Sequence, residues 1–155
     1  MKIKVSIITL ILTSLNCIYA HCQIPCGIFN DALRIITIQE DFETIRKAMK
    51  QITKLSTKNT PKSKNQLSRW IQTKEDHSNN IQNILCDYFL IQRVKKSKTN
   101  YTEQLTLIHQ ILISAMKCKQ TLENKHIENG INHLNLFSKA YLDKHGIEHL
   151  QKLRN

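Results

Sequence analysis

The sequence predicts an all-α protein, an antiparallel up-down-up-down four-helix bundle preceded by an irregular N-terminal segment. Three observations lead there. Glycine and proline are scarce, at 3 and 2 of 155 residues. Apolar residues recur in steps of three and four over four long stretches, the spacing that gathers them on one helical face. The apolar–polar alternation of a half-buried strand is absent. Four amphipathic helices joined by polar links bury their stripes most economically against one another.

In chain order, residues 1–20 read as a signal peptide. Lys2 and Lys4 form a positive start, Val5 to Leu15 is an apolar run, and Ile18-Tyr19-Ala20 ends in the small residue a signal peptidase requires. A membrane span needs roughly 20 apolar residues, so removal, export and no lasting membrane association are expected. The bulk of Ile18 leaves an uncleaved anchor as the alternative. Cys17 lacks the small residues that precede a lipidated cysteine. One domain of residues 21–155 remains, a length that suits a single core.

The first helix is expected from Asp31 as N-cap, with Ile35, Ile38, Phe42, Ile45, Met49, Ile52 and Leu55 in one buried stripe. Ser56 to Lys64, with Pro61 and no apolar residue, reads as a loop. A second helix carries Leu67, Trp70, Ile71, Ile81, Ile84, Leu85, Tyr88 and Phe89 and ends in the basic run near Lys95. Leu105, Ile108, Ile111, Leu112, Ala115 and Met116 mark the third, and Ile127, Ile131, Leu134, Phe137 and Tyr141 the fourth. Gly130 is expected to weaken the start of that last helix, and Gly146 to break it before a short tail helix through Leu150 and Leu153.

The chain carries 23 Lys and Arg against 12 Asp and Glu, a formal +11; without Lys2 and Lys4 the balance is 21 against 12, or +9. The lysines are scattered along helical faces, clustered only at Lys58–Lys64 and Arg93–Lys98, with no interleaved aromatics. This argues against nucleic acid as a partner and leaves a positive field that draws in small anions. Four cysteines persist after processing. Cys86 and Cys118, on apolar helical segments, read as buried thiols or a structural bridge.

Cys22 and Cys26 differ, because His21, Pro25 and Gly27 surround them. Cleavage after Ala20 makes His21 the chain end, so one residue offers a free amine and an imidazole beside the Cys22 thiolate. The amine, the amide nitrogen of Cys22 and its thiolate form fused chelate rings, and Cys26 completes two nitrogens and two sulfurs in a plane. Planarity favours nickel(II) or copper(II) over tetrahedral zinc. The imidazole of His21 can approach from above as a fifth ligand that stabilises a higher oxidation state. Pro25 restricts the turn and Gly27 allows a backbone geometry a side chain would obstruct.

His21-Cys22-Gln23-Ile24-Pro25-Cys26-Gly27, followed by Ile28-Phe29 and four helices, resembles nickel superoxide dismutase, a family that needs its histidine first. Asp87-Tyr88-Phe89 looks like that family's Asp-Tyr-Phe segment near the metal. The resemblance covers almost all of residues 21–155 and implies one nickel ion per subunit, held by His21, Cys22 and Cys26 in a hook over residues 21–29. It implies disproportionation of superoxide by nickel(II)/nickel(III) cycling, catalytic roles for His21 and Tyr88, with Tyr88 bordering the substrate pocket, and a homohexamer. Two residues depart from the family's pattern: Gln23 replaces an aspartate of some members, and Phe29 replaces the usual tyrosine and removes a hydroxyl near the open metal face. Arg69 and Glu75 are the candidates for the partners that steady the axial imidazole.

Rival readings are weaker. His145-Gly146-Ile147-Glu148-His149 matches the H-x-x-E-H pattern of some zinc proteases, but Gly146 weakens the helix and no third ligand follows. His77, His109, His126 and His133 read as surface or satisfied bundle histidines. Asn100-Tyr101-Thr102 is a glycosylation acceptor pattern, meaningful only in a eukaryotic host. An exported protein that sequesters nickel or copper without turnover, or a Cys22–Cys26 disulfide that staples the N-terminus, are the remaining alternatives.

Overall fold

A computed structural model describes residues 29–154. Helix α1 spans Asp31–Ser56. Helix α2, Pro61–Asn83, continues without a break as a π-helical stretch over Ile84–Arg93. Helices α3 (Tyr101–Gln120), α4 (Lys125–Tyr141) and α5 (Lys144–Arg154) complete the chain. Each of α1 to α4 packs on its two neighbours around a square, α1 on α2, α2 on α3, α3 on α4 and α4 on α1, which is the expected antiparallel bundle. Helix α5 lies against α1.

The predicted stripes form the core. Ile35, Ile38, Phe42 and Ile45 of α1, Ile81 and Leu85 of the second helical rod, Ile108 and Ile111 of α3, and Leu134 and Phe137 of α4 are fully buried. Lys74, only 4% exposed, reaches across from α2 and donates to the carbonyls of Cys118 (3.0 Å) and Lys119 at the end of α3, and to Glu75 (2.7 Å). It satisfies acceptors that a helix C-terminus leaves without intrahelical partners. Arg46 of α1 meets Glu128 near the start of α4 at 3.7 Å. Beyond these levels α1 and α2 run on as a two-helix overhang, on which Trp70 is half-buried and Ile71 is 43% exposed.

Three local expectations are corrected. The N-cap of α1 is Asn30, whose side chain accepts from Leu33 N (2.9 Å); Asp31 is the first helical residue. The loop after α1 ends at Thr60, not Lys64, because Thr60 and Ser63 form a reciprocal capping box ahead of Pro61 at the first helical position. The α4–α5 break falls at Leu142 and Asp143; Gly146 lies inside α5 and donates its N–H to Asp143 Oδ1 (2.8 Å). Gly130 is buried in α4, where the Phe42 ring occupies the space a side chain would need.

Candidate metal centre

His21, Cys22, Cys26 and the departure at Gln23 lie outside the described residues, which begin at Phe29, two residues after the hook motif closes at Gly27. The structure describes the end of the bundle at which residue 29 lies. Phe29, Asn30 and Asp31 enter the bundle where α1 begins, the π-helical stretch ends and α4 ends.

One carboxylate organises that corner. Asp31 Oδ1 accepts from the Tyr88 hydroxyl (2.5 Å) and from Arg93 Nε (3.1 Å); its Oδ2 accepts from Arg93 Nη2 (2.7 Å) and from the Tyr141 hydroxyl (2.7 Å). Burial pushes the Asp31 carboxyl up, but the bonds from Arg93, Tyr88 and Tyr141 and the guanidinium charge outweigh it and hold it below the usual aspartate range. Burial, and then the hydrogen bond to Asp31, push both phenols well above the ordinary tyrosine value, so neither ionises readily. The Arg93 guanidinium is held charged more firmly still, first through its bond to Asp31.

Aromatic contacts frame this cluster. The Phe29 ring lies under the Arg93 guanidinium at 4.4 Å and edge-on to Tyr88 at 5.8 Å. Phe89 makes edge contacts with Tyr88, Phe137 and Tyr141 at 5.0, 5.2 and 5.3 Å. Tyr88 is 1% exposed, so its hydroxyl is committed to Asp31 inside the bundle. Asp31, Arg93 and Tyr141 instead line an open cleft of about 750 Å³ with Phe29, Lys95, Lys98, Lys139, His145 and His149.

The π-helical stretch explains how Tyr88 and Arg93 reach the same carboxylate. In an α-helix, residues five apart point about 140° away from one another. Bonding from i to i+5 widens the turn and brings them toward one face, as the Val94 N–H to Phe89 carbonyl bond (2.8 Å) illustrates.

The residues expected to bind nickel, His21, Cys22 and Cys26, precede Phe29 in the sequence. Among the described residues no group of three or more His, Cys, Asp or Glu is arranged to hold a metal ion. Cys118 is buried, and burial pushes its thiol up to about 11; the Cys86 thiol is raised by burial and then by the Asp87 charge. Both cysteines are free thiols held away from the thiolate form. The imidazole of His21 and the thiols of Cys22 and Cys26 are donor types that suit a nickel ion.

A model of the nickel-containing superoxide dismutases matches residues 16–145, a span that includes both the hook motif and Asp87-Tyr88-Phe89. The chain belongs to that family. It is a nickel-containing superoxide dismutase, an oxidoreductase with a nickel cofactor and superoxide as substrate. No curated protein and no solved structure matches it.

The other sequence candidates in this superoxide dismutase fall into place. His145 and His149 are exposed on α5 at the cleft. His77 is not a free surface residue: its Nδ1 lies 2.6 Å from Asp41 Oδ1, and Asn80 donates to the other Asp41 oxygen (2.8 Å). Burial raises the Asp41 carboxyl above the usual range despite those two bonds. His133 Nδ1 is buried without a partner among the described residues. Glu75 is engaged by Lys74, and Arg69 is exposed; on the antiparallel α1–α2 pair both lie toward the end of the bundle opposite Phe29. Sequence reasoning missed Asp31, Arg93 and the hydroxyl of Tyr141; the only signal was a charge and a phenol on otherwise regular stripes.

Proposed function

We propose that the mature protein begins at His21 and disproportionates superoxide at a nickel ion that the His21 amine and imidazole, the Cys22 amide nitrogen and the Cys22 and Cys26 thiolates would hold. The single observation that carries this reading is the family match across residues 16–145, which contains that donor set in order. Bound there, nickel would alternate between its +2 and +3 states, oxidising one superoxide to dioxygen and reducing a second, with two protons, to hydrogen peroxide.

The chain's own residues guide the anion and shape its surroundings. Arg93, Lys95, Lys98 and Lys139 surround the cleft beside Phe29, so positive charge is concentrated where the hook leaves the bundle. Tyr88 stays neutral and presents its ring to Phe29. Its role is to wall the site and fix the hook's exit, because its hydroxyl hydrogen is held by Asp31.

Export through the leader and assembly as a homohexamer complete the proposal. The overhang of α1 and α2, with Trp70 and exposed Ile71, supports assembly by offering apolar surface outside the four-helix core. Intact mass, nickel content and superoxide disproportionation, measured on the isolated native protein, test the whole reading. A chain starting at His21 with one nickel and turnover is expected. A protein that retains residues 1–20 or starts elsewhere refutes the amine ligand, and bound metal without turnover identifies a sequestering protein.

A further inference from the structure

We propose that Asp31 is a positioning residue that fixes where the metal-binding segment leaves the bundle, by clamping Arg93, Tyr88 and Tyr141 on one carboxylate with Phe29 seated against the clamp. The inference rests on the assignment of nickel to residues 21–26. It adds an anchor that the local chelate does not contain.

Asp31 is not needed as a cap, since Asn30 already accepts from the first turn of α1. Its carboxylate turns instead to partners 57, 62 and 110 residues away, drawn from two other elements. Arg93 presents its planar fork through two nitrogens, the geometry that fixes orientation as well as distance. The same guanidinium lies over the Phe29 ring, so one cation holds both residue 31 and residue 29. Phe29 acquires a positive role here: its ring face receives Arg93, and no hydroxyl is required for that contact. The chain is thus fixed at a point five residues from Cys26.

Asp31→Asn keeps the shape, removes the charge and puts an amide donor where two donors already converge. In the isolated nickel-loaded protein, nickel transfer to an excess of chelator should quicken about tenfold, the change that corresponds to losing roughly 1.4 kcal/mol of anchoring. Amide exchange at residues 29–34 should quicken in the same variant while exchange at Ile108 and Ile111 stays slow. Phe29→Ala should behave likewise, and Phe29→Tyr, which keeps the ring face, should retain the wild-type rate. A merely structural role would lower the melting temperature but leave nickel release unchanged, and that outcome overturns the proposal. Should D31N fail to fold, Arg93→Lys and Tyr141→Phe, each removing part of the clamp, carry the same readouts with smaller expected effects. If the unsubstituted protein holds no nickel, the metal assignment falls, and exchange at residues 29–34 alone decides the clamp: faster exchange in D31N upholds it, and unchanged exchange overturns it.

Discussion

Gly130→Ala tests whether the packing of α4 on α1 is as close as the structure requires. A Cβ at residue 130 would lie 2.3 Å from Phe42 Cζ, 2.6 Å from Cε1 and 3.0 Å from Cε2. Carbon atoms rest about 3.5–4.0 Å apart, so the ring would have to retreat by more than about 1 Å. Phe42 is fully buried in the core and has nowhere empty to go. Overpacking of this kind costs up to about 3 kcal/mol, and the better helix propensity of alanine returns about 1 kcal/mol. The expected net loss is about 2 kcal/mol. Urea denaturation followed by circular dichroism should show a lower midpoint at unchanged slope. Phe42→Leu removes the obstructing ring atoms, so G130A/F42L should be less destabilised than the two single losses combined. A G130A protein as stable as the parent, or strict additivity in the double variant, would refute the close approach.

Three further outcomes follow from the same reasoning. His21→Ala should leave nickel bound through the remaining donors but abolish most turnover, and one alanine added before His21 should be worse because it moves the amine; metal content with activity on each variant checks this. Lys74→Met should lower stability by about 2 kcal/mol, the scale of hydrogen bonds to a buried charge, since the Cys118 and Lys119 carbonyls lose their donor; chemical denaturation measures it. The pH dependence of stability should carry two opposed contributions. Asp31, held below the ordinary aspartate value of 3.8, adds stability that is present above that pH and lost as the pH falls through its folded value. Asp41 is raised, so its contribution is present below 3.8 and lost as the pH rises through its folded value. Denaturation midpoints from pH 2 to 6 should therefore show a shallower acid loss in D31N than in the parent, and D41N should lose the decline that the parent shows on the rising side.

The bundle was legible because its information is local. Ile35, Ile38, Phe42 and Ile45 announce a buried face by spacing alone, and each is fully buried. The donor set proposed for residues 21–26 rests on sequence alone, since its members are chain neighbours that lie outside the described residues. The clamp was not, because its members are brought together by topology. Asp31 reads as an N-cap by residue type, yet Asn30 takes that position and frees the carboxylate for Arg93. Tyr141 reads as stripe, and its ring does stack on Phe137 at 5.2 Å; nothing in the spacing says that its hydroxyl reaches across to α1. Gly130 reads as a weak helix former because propensity sees the residue and not Phe42. The π-helical stretch escapes notice because ten residues are too few for apolar spacing to separate it from an α-helix.

That stretch makes a last prediction about what the clamp needs. Ile91 is 64% exposed and contributes little to the core. Deleting it leaves Tyr88 and Arg93 four residues apart, a spacing that an ordinary α-helix already places on one face. The Val94 N–H to Phe89 carbonyl bond, now spanning five residues, becomes an ordinary i to i+4 bond. Both changes relax the wide turn while keeping Tyr88 and Arg93 on Asp31. If alignment on that carboxylate is what the π-helical turn serves, the deletion should fold, keep Tyr88 and Tyr141 from ionising in the ordinary range, and retain slow exchange at residues 29–34. Ultraviolet titration of the phenols with hydrogen exchange on the same sample decides it. A folded deletion variant whose Tyr88 and Tyr141 ionise at the ordinary value of about 10 would mean that the wide turn itself, and not the shared face it creates, holds residue 29 in place.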